Sequence, residues 1–227
     1  MASLDPSVKS KIDNWLQGNY DKDSKQEIET LLNNEKFEEL TDAFYKDLEF
    51  GTGGLRGIMG VGTNRVNRYT FGIAAQGFSN FLKKTYPNED IKVAIAHDCR
   101  NNSDTLAKVV ADVFSANGIH VYFFESLRPT PELSYAVREL GCKGGVVLTA
   151  SHNPKEYNGF KAYGADGGQL VAPFDKQVMD EVQKIASVDE VNFDGNSDLI
   201  EIIGKEIDEK YLSELVALSV SKEAIER

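Results

Sequence analysis

The sequence predicts an α/β domain with a mostly parallel (mixed) sheet sandwiched between helices. Short apolar segments typical of buried strands occur at 91–97, 119–124 and 143–148. Segments with helical periodicity separate them through short connections, which is the pattern of a parallel sheet with crossover helices. A polar cluster follows each of these strands, at the end where parallel sheets usually bind their ligands.

Residues 1–46 are predicted to form a helical extension packed on this domain. Apolar residues recur at helical spacing, and the intervening positions are rich in lysine and glutamate, as expected of amphipathic surface helices. The apolar positions fall in three groups: Ile12, Trp15 and Leu16; Ile28, Leu31 and Leu32; and Leu40, Ala43 and Phe44. A glycine-dense segment, 49–67, follows, and no clear strand precedes its "GTGGLRG" motif.

Residues 47–204 are assigned to the α/β domain. Within it, Ser103 is the expected N-cap of a helix that stops at Gly118, and Thr130 is the expected N-cap of the next helix. Residues 205–227 are predicted to form a helix that leads towards a second domain absent from this chain.

The composition restricts the classes of function. The 227-residue chain has 25 Lys and Arg against 36 Asp and Glu, which argues against a general nucleic-acid or membrane-surface binder but leaves room for a local cationic pocket. No window approaches about 18 apolar residues and the N-terminal region has no signal-peptide core, so we expect a cytoplasmic protein. Cys99 and Cys142 lack metal-site spacing and are expected to be buried thiols in a reducing compartment.

The familiar nucleotide-binding and hydrolase motifs do not fit this chain. The glycine-dense segment has Arg56 where a dinucleotide-binding fingerprint requires glycine, and a Gly-Lys-Ser/Thr phosphate loop is absent from the sequence. Ser151 lacks the flanking glycines of a nucleophile elbow. His152 is its neighbour in sequence, and adjacent side chains usually point apart, so this histidine is a poor candidate for the base of a serine-hydrolase triad.

The polar clusters instead share cationic groups suited to phosphate. Arginine binds phosphate oxygens in pairs, and lysine acts as a point charge. Taken singly, a loop arginine is usually a solvated surface charge, and a loop serine is more often a turn residue than a nucleophile. The cations in the glycine-dense segment or at the strand ends are Arg56, Arg100, Arg128, Lys155 and Lys161.

Two motifs taken together resemble those of a known family. "TASHNP" at 149–154 followed by "NGFKAY" at 158–163 resembles the phosphoserine loop and lysine strand of the α-D-phosphohexomutases, which include phosphoglucomutases and phosphomannomutases. "FGTGGLRG" at 50–57, with its helical extension, resembles a longer subgroup that also contains phosphopentomutases and glucose-1,6-bisphosphate synthases. Enzymes of this family have four domains around one cleft, and the chain resembles the first domain.

The resemblance implies roles for the residues around the serine. Ser151 would be phosphorylated in the resting enzyme and would pass its phosphoryl group to a sugar phosphate. His152 and Asn153 would shape the loop and bind phosphate. Lys161 would be the general acid/base and a phosphate-binding cation, and Arg56 would lie beside the transferring phosphate.

The resemblance also implies supporting residues and cofactors. Arg128 would bind phosphate, whereas Asp98, Arg100 and Asn158 would support the loop from behind. Mg²⁺ would bind the phosphoserine, with Ser151 as its one ligand in this chain and the remaining ligands outside it. Glucose 1,6-bisphosphate would act as activator, and residues 1–227 alone would be inactive.

The function that this resemblance implies is the interconversion of hexose 1-phosphate and hexose 6-phosphate through a bisphosphate intermediate. The expected partners are a small-molecule sugar phosphate and the missing domains of the same chain, with no nucleic acid and no membrane. The alternatives are a phosphopentomutase, a glucose-1,6-bisphosphate synthase or a non-catalytic sugar-phosphate binding domain. Ser151 and Lys161 together favour an enzyme, because a protein that only binds sugar phosphate needs neither. A serine hydrolase is a much weaker third reading, after the phosphomutase and the non-catalytic binding domain.

Overall fold

A six-stranded mixed sheet forms the centre of the fold, with strand order β1-β5-β4-β2-β3-β6. The computed structural model describes residues 4–51, 53–218 and 220–221. Strand β2 pairs in parallel with β3 and β4, and β3 pairs in parallel with β6, whereas β5 runs antiparallel to β4 and β1. The predicted fold class is therefore confirmed. The strands are β1 Gly54–Ile58, β2 Lys92–His97, β3 His120–Phe124, β4 Gly144–Leu148, β5 Tyr157–Gly164 and β6 Ile200–Ile203.

Eight helices surround this sheet in the described part of the chain, besides two short 3-10 turns. Helix α5 contacts β2, β3 and β4 on one face and packs against α4, which in turn contacts α7. Helix α6 contacts β2 and β4 and packs against α8. The helices are α1 Pro6–Gln17, α2 Lys22–Asn33, α3 Phe37–Phe44, α4 Arg68–Thr85, α5 Ser103–Ala116, α6 Thr130–Glu139, α7 Phe174–Gln183 and α8 Lys205–Ala217.

The central strands are buried on both faces of the sheet. In β2, Val93 and Ile95 join the apolar cluster that contains residues of α4 and α5, whereas Ala94 and Ala96 join the cluster that contains residues of α6. This division follows from the alternation of side chains along a strand. The alanines leave little bulk on the α6 side, where α6 contacts β2 and β4.

The N-terminal helices pack on the α/β region through aromatic side chains. Trp15 is buried, stacks on Tyr20 with ring centroids 4.2 Å apart and meets the edge of Tyr69 of α4 at 5.4 Å. The hydroxyl of Tyr69 donates a hydrogen bond of 2.6 Å to Asp21 at the start of α2. These contacts join the extension to α4, and the domain boundaries after residues 46 and 204 stay predictions.

Some local predictions are wrong at helix ends and in the glycine-dense segment. Ser103 and Thr130 are the first helical residues rather than the N-caps, which are Asn102 and Pro129. Strand β1 lies in the segment where no strand was predicted. β1 is difficult to predict from the sequence because glycine has low strand propensity. Glycine is nevertheless required at position 54, because a Cβ there would overlap the Phe160 carbonyl of the paired strand β5.

The two cysteines lie in different environments. Cys142 is buried as predicted, and burial raises the pKa of its thiol to about 12. Cys99 is exposed, so the prediction of a buried thiol is wrong there; it lies in the polar loop after β2, where the chain has left the core. Both thiols are free.

Helix α8 is shorter than predicted and is held by an ion pair. It ends at Ala217, and the predicted continuation through 219 and 222–227 lies outside the described residues. Its Asp208 accepts hydrogen bonds of 2.7 and 2.8 Å from Nε and Nη2 of Arg128. None of the helices within the described ranges is long and apolar enough to cross a membrane.

Glu132 of α6 is a further carboxylate close to Arg128, besides Asp208 of α8. The residue is 4% exposed, and its Oε1 lies 3.8 Å from Nε of Arg128. Burial, together with a hydrogen bond shared with Asp208, raises the pKa of Glu132 to about 7. The hydrogen bond from Arg128 lowers the pKa of Asp208, so the two carboxyls share one proton and one cation near neutral pH.

We predict that Glu132 makes the stability of the chain fall as pH rises. Its folded-state pKa of about 7 lies above the unfolded value of 4.5, so the folded chain binds an extra proton between these values and its free energy of unfolding decreases across that window. Glu132→Gln keeps a hydrogen-bond donor towards Asp208 and removes the titration. Urea unfolding at about pH 5 and about pH 8 should show a smaller loss of stability in the variant than in the wild type.

The conservative change Glu139→Gln on the same helix is the matched control, because Glu139 is exposed and pairs with Lys210 at the surface. Equal pH dependence in the wild type and in Glu132→Gln would contradict the prediction.

Candidate functional site

The predicted serine and lysine meet at the carboxyl end of β4. Ser151 lies in the turn that follows β4, is exposed and has a left-handed φ of 54°. Lys161 is on β5, and the antiparallel register places it opposite Val147 of β4. Its Nζ donates a hydrogen bond of 2.8 Å to the Ser151 Oγ. The site thus brings together a hydroxyl and an amine ten positions apart in sequence.

Arg56 adds a second cation to this edge of the sheet. It is exposed on β1 opposite Gly159 of β5, and its Nη1 donates a hydrogen bond of 2.9 Å to Oδ1 of Asn153. Burial lowers the pKa of Lys161, and the positive charge of Arg56 lowers it further, against a smaller opposing effect of Asp98. Lys161 therefore releases a proton more readily than a solvated lysine does.

Arg100 holds the serine loop from beneath. Its guanidinium donates hydrogen bonds to four backbone carbonyl oxygens, with only 9% of the side chain exposed. The acceptors are Ser151 and Asn153 at 2.6 Å, Pro154 at 2.9 Å and Tyr157 at 3.0 Å. A planar group with five donors can bridge carbonyls that diverge in this way, whereas a lysine cannot.

A polar layer lies under the loop and fixes it to β2 and α5. Oδ1 of Asp98 accepts from the Arg100 N–H and from the Ser103 hydroxyl, both at 3.0 Å. The fully buried Asn158 donates to the Ser103 Oγ at 2.9 Å, and its Oδ1 accepts from the Gly159 N–H at 2.8 Å. Asp98 and Asn158 thus lie beneath the serine loop, and their supporting role in the reaction stays a prediction.

Sequence reasoning missed Thr149 and misread Ser103 as a helix cap. The Thr149 Oγ1 lies 2.5 Å from Oδ2 of Asp98 and accepts from the Ser151 N–H at 3.0 Å. The threonine opens the "TASHNP" motif, so its place in the motif is the signal that could have found it. The sequence offers no comparable signal for the role of Ser103, because serine at a helix start usually indicates a cap.

For Arg128 and His152, the described part of the structure shows no side-chain hydrogen bond to the serine loop. The Arg128 N–H donates to the His97 carbonyl at 3.0 Å, so its backbone lies near the end of β2, but its guanidinium is turned to Asp208 of α8. His152 is exposed in the same turn as Ser151. Phosphate binding by either residue stays a prediction.

The described residues offer little to a metal ion. None of them form a group of three or more His, Cys, Asp or Glu side chains that could hold one. The exposed Ser151 Oγ can supply one oxygen contact, and more once phosphorylated, because phosphate adds three acceptor oxygens. The carboxylate of Asp98 is occupied beneath the loop by Thr149, Ser103 and Arg100. A role for Ser151 as a metal ligand therefore stays a prediction.

Residues 47–189 match the family described as "Phosphoglucomutase/phosphomannomutase, alpha/beta/alpha domain I". The chain belongs to this family. The predicted resemblance to the first domain of the phosphohexomutases is therefore confirmed, and the match includes β1 to β5 and the serine loop between β4 and β5.

Named relatives agree with this membership. The chain is 37% identical over 182 residues to the "Probable phosphoribomutase" of Schizosaccharomyces pombe, covering 80% of this chain and 31% of the relative. It is 38% identical over 189 residues to a phosphoglucomutase of Staphylococcus haemolyticus, covering 83% of this chain and 33% of the relative. It is 38% identical over 184 residues to a glucose 1,6-bisphosphate synthase of Mus musculus, covering 77% of this chain and 29% of the relative.

A solved structure supports the same fold. A Thermus thermophilus protein assigned as a phosphomannomutase superposes with a TM-score of 0.65 at 29% identity, covering 76% of this chain and 36% of that protein. This phosphoglucomutase/phosphomannomutase domain thus spans about a third of the length of the relatives it matches. It is a domain of a phosphomutase family whose members are multi-domain proteins.

We predict that Arg100→Lys loosens the serine loop. The substitution keeps the positive charge but loses at least two of the four carbonyl contacts, and hydrogen bonds to charged groups contribute about 1.5–3 kcal/mol each, so the unfolding free energy should fall by about 3–6 kcal/mol. Limited proteolysis should cut the variant faster within 151–157. Arg138→Lys, at an exposed position of α6, is the control. An unchanged cleavage rate in Arg100→Lys would contradict the role of the guanidinium.

Proposed function

We propose that the full-length protein is a phosphomutase that interconverts hexose 1-phosphate and hexose 6-phosphate through a phosphoserine at Ser151. The observation that carries this proposal is the hydrogen bond of 2.8 Å between Lys161 Nζ and Ser151 Oγ, on a loop that Arg100 holds at the end of a parallel strand. The hydroxyl is exposed to incoming substrate, and the lysine has a lowered pKa because of burial and the charge of Arg56.

The reaction is two phosphoryl transfers in opposite directions. In the first, a free sugar hydroxyl attacks the phosphorus, its O–P bond forms as the bond from phosphorus to the Ser151 Oγ breaks, the hydroxyl proton passes to a base, and the departing Ser151 Oγ takes up a proton. The bisphosphate then turns around, and the Ser151 Oγ attacks the other phosphorus and gives up its proton, while the sugar oxygen released from that phosphorus takes up a proton. Phosphoryl transfer depends on position and charge stabilisation, which the cations beside this hydroxyl supply.

Lys161 is the proposed group that moves the proton. Its Nζ is within hydrogen-bond distance of the oxygen that loses and gains the phosphoryl group, which satisfies the geometric requirement for general acid/base catalysis. Arg56 is the proposed partner of the non-bridging phosphate oxygens, assisted by Asn153, to which it is hydrogen-bonded. His152, exposed in the same turn, is proposed to contact the phosphate as well.

The proposed cofactors are Mg²⁺ and glucose 1,6-bisphosphate. A divalent cation supplies charge neutralisation at the transferring phosphate. In this chain, phosphorylated Ser151 would hold it, and the other ligands would come from outside this chain. The bisphosphate would load Ser151 with phosphate and activate the enzyme.

The relatives of this chain suggest two alternative activities. The names of its relatives include a phosphoribomutase and a glucose 1,6-bisphosphate synthase, so a pentose phosphate substrate and a synthase activity are the alternatives. A non-catalytic sugar-phosphate binder is disfavoured, because binding requires neither an exposed serine nor a lysine hydrogen-bonded to it. We assign a cytoplasmic location, consistent with the free thiols, and we expect residues 1–227 alone to be inactive.

Ser151 is expected to carry phosphate in the full-length enzyme. After incubation with glucose 1,6-bisphosphate, peptide mass spectrometry should find the added phosphate on the peptide that contains Ser151. Ser151→Ala should abolish both labelling and turnover, whereas Ser126→Ala, at an exposed serine in the loop after β3, is the control. Labelling of another residue with Ser151→Ala still active would overturn the proposal.

Lys161→Met should lower turnover far more than substrate binding. Loss of a general acid/base typically lowers kcat by about 10²–10⁴-fold, and a group that acts in the transition state leaves KM comparatively unaffected. Steady-state kinetics of the full-length enzyme measure both, with Lys176→Met on the exposed face of α7 as control. A near-normal kcat in Lys161→Met would remove this residue from the mechanism.

A further inference from the structure

Each polar group of Ser151 is held by a different residue. Its Oγ accepts from Lys161 at 2.8 Å, and its carbonyl oxygen accepts from Arg100 at 2.6 Å. Its backbone N–H donates to the Thr149 Oγ1 at 3.0 Å. Lys161 and Arg100 carry charge, whereas Thr149 is neutral, 5% exposed and lies beneath the loop. Of these three partners, only Thr149 has no role in the mechanism derived above.

The chemistry of its partners fixes the direction of the Thr149 hydrogen bonds. Oγ1 lies 2.5 Å from Oδ2 of Asp98 and 3.0 Å from the nitrogen of Ser151. A carboxylate accepts hydrogen bonds and a backbone N–H donates them, so the hydroxyl donates to Asp98 and accepts from Ser151. The other oxygen of Asp98 is held by Arg100 and Ser103 at 3.0 Å, which anchors the carboxylate.

The backbone of Thr149 is itself anchored to β5. Its N–H donates to the Gly159 carbonyl at 2.9 Å, and a Cβ at Gly159 would lie 2.6 Å from the Thr149 carbonyl oxygen, so the close approach of the two chains requires glycine there. The threonine hydroxyl is therefore a fixed point from which the Ser151 N–H is held. Such a fixed point is needed because the φ of Ser151, 54°, lies in a region that non-glycine residues adopt only at a cost.

We propose that Thr149 is a positioning residue for phosphoryl transfer at Ser151. Its hydroxyl links the anchored Asp98 to the Ser151 N–H, holds the left-handed backbone and so directs Oγ towards Lys161. This inference rests on the proposed function. Without the hydroxyl, the Ser151 N–H and one Asp98 oxygen lose their partner, and the serine can relax to an ordinary backbone conformation that turns Oγ away from the lysine.

The test is Thr149→Val in the full-length enzyme, which keeps the branched shape and removes the hydroxyl. Because a misplacement of about 1 Å at a reacting group can lower the rate about 10²-fold, we expect kcat to fall by about 10- to 100-fold. We expect KM to change by less than about 3-fold, since an interaction that positions the reacting oxygen acts mainly on kcat. Thr149→Ser restores the hydroxyl and should recover most of the wild-type kcat.

Ser79→Ala is the matched control, because Ser79 of α4 is fully buried and its hydroxyl donates to the Ala75 carbonyl at 2.7 Å. Thermal unfolding of all variants separates lost stability from lost rate. If Thr149→Val does not fold, Asp98→Asn weakens the same link from its other end and must lower kcat with little change in KM.

The outcomes separate this inference from the proposed function. Wild-type enzyme that takes no phosphate at Ser151 overturns both. Wild-type enzyme that is labelled at Ser151, with Thr149→Val labelled and turning over at the same rate, overturns the positioning role alone. Equal losses of kcat in Thr149→Val and Ser79→Ala, or no recovery in Thr149→Ser, also overturn it. A selective loss of kcat in Thr149→Val that Thr149→Ser reverses supports it.

Discussion

The candidate site depends on one buried guanidinium. Arg100 donates to four carbonyl oxygens of the loop that carries Ser151, in a turn whose side chains at 151 and 152 are exposed. A loop of this kind would otherwise expose carbonyls to solvent and sample several conformations. The same guanidinium lies 3.6 Å from Asp98, which ties the loop to the end of β2.

The sheet supplies the rest of the geometry. Parallel strands β2 and β4 bring the loops after residues 97 and 148 to one edge, which is the usual position of ligands in such sheets. Strand β5 then turns back antiparallel to β4, so its lysine, ten residues after the serine, returns to the serine hydroxyl. Strand β1 adds to β5 at the edge and contributes Arg56. Three cations thus contact the serine loop in a chain with a formal net charge of −11: Lys161 at the Ser151 hydroxyl, Arg100 at backbone carbonyls and Arg56 at Asn153.

Much of this arrangement could be predicted from the sequence, but its geometry could not. The strands β2, β3 and β4 follow from apolar segments with turn signals, and the serine and lysine follow from the motif and the resemblance that it carries. The strand register that pairs Val147 with Lys161 cannot be read from the amino-acid composition. The orientation of Arg128 towards α8 depends on Asp208, 80 positions away, and a local reading sees only a cation at a strand end. Thr149 was overlooked because threonine before a turn is common.

The central claim is that the phosphoryl group on the loop serine is an intermediate of turnover. The most direct measurement is a rapid-quench chase, in which full-length enzyme carrying ³²P on Ser151 is mixed with unlabelled hexose monophosphate and sampled during the first turnovers. The account predicts that label leaves the protein and appears in sugar phosphate at least as fast as kcat. Label that stays on the serine while substrate is converted would contradict it.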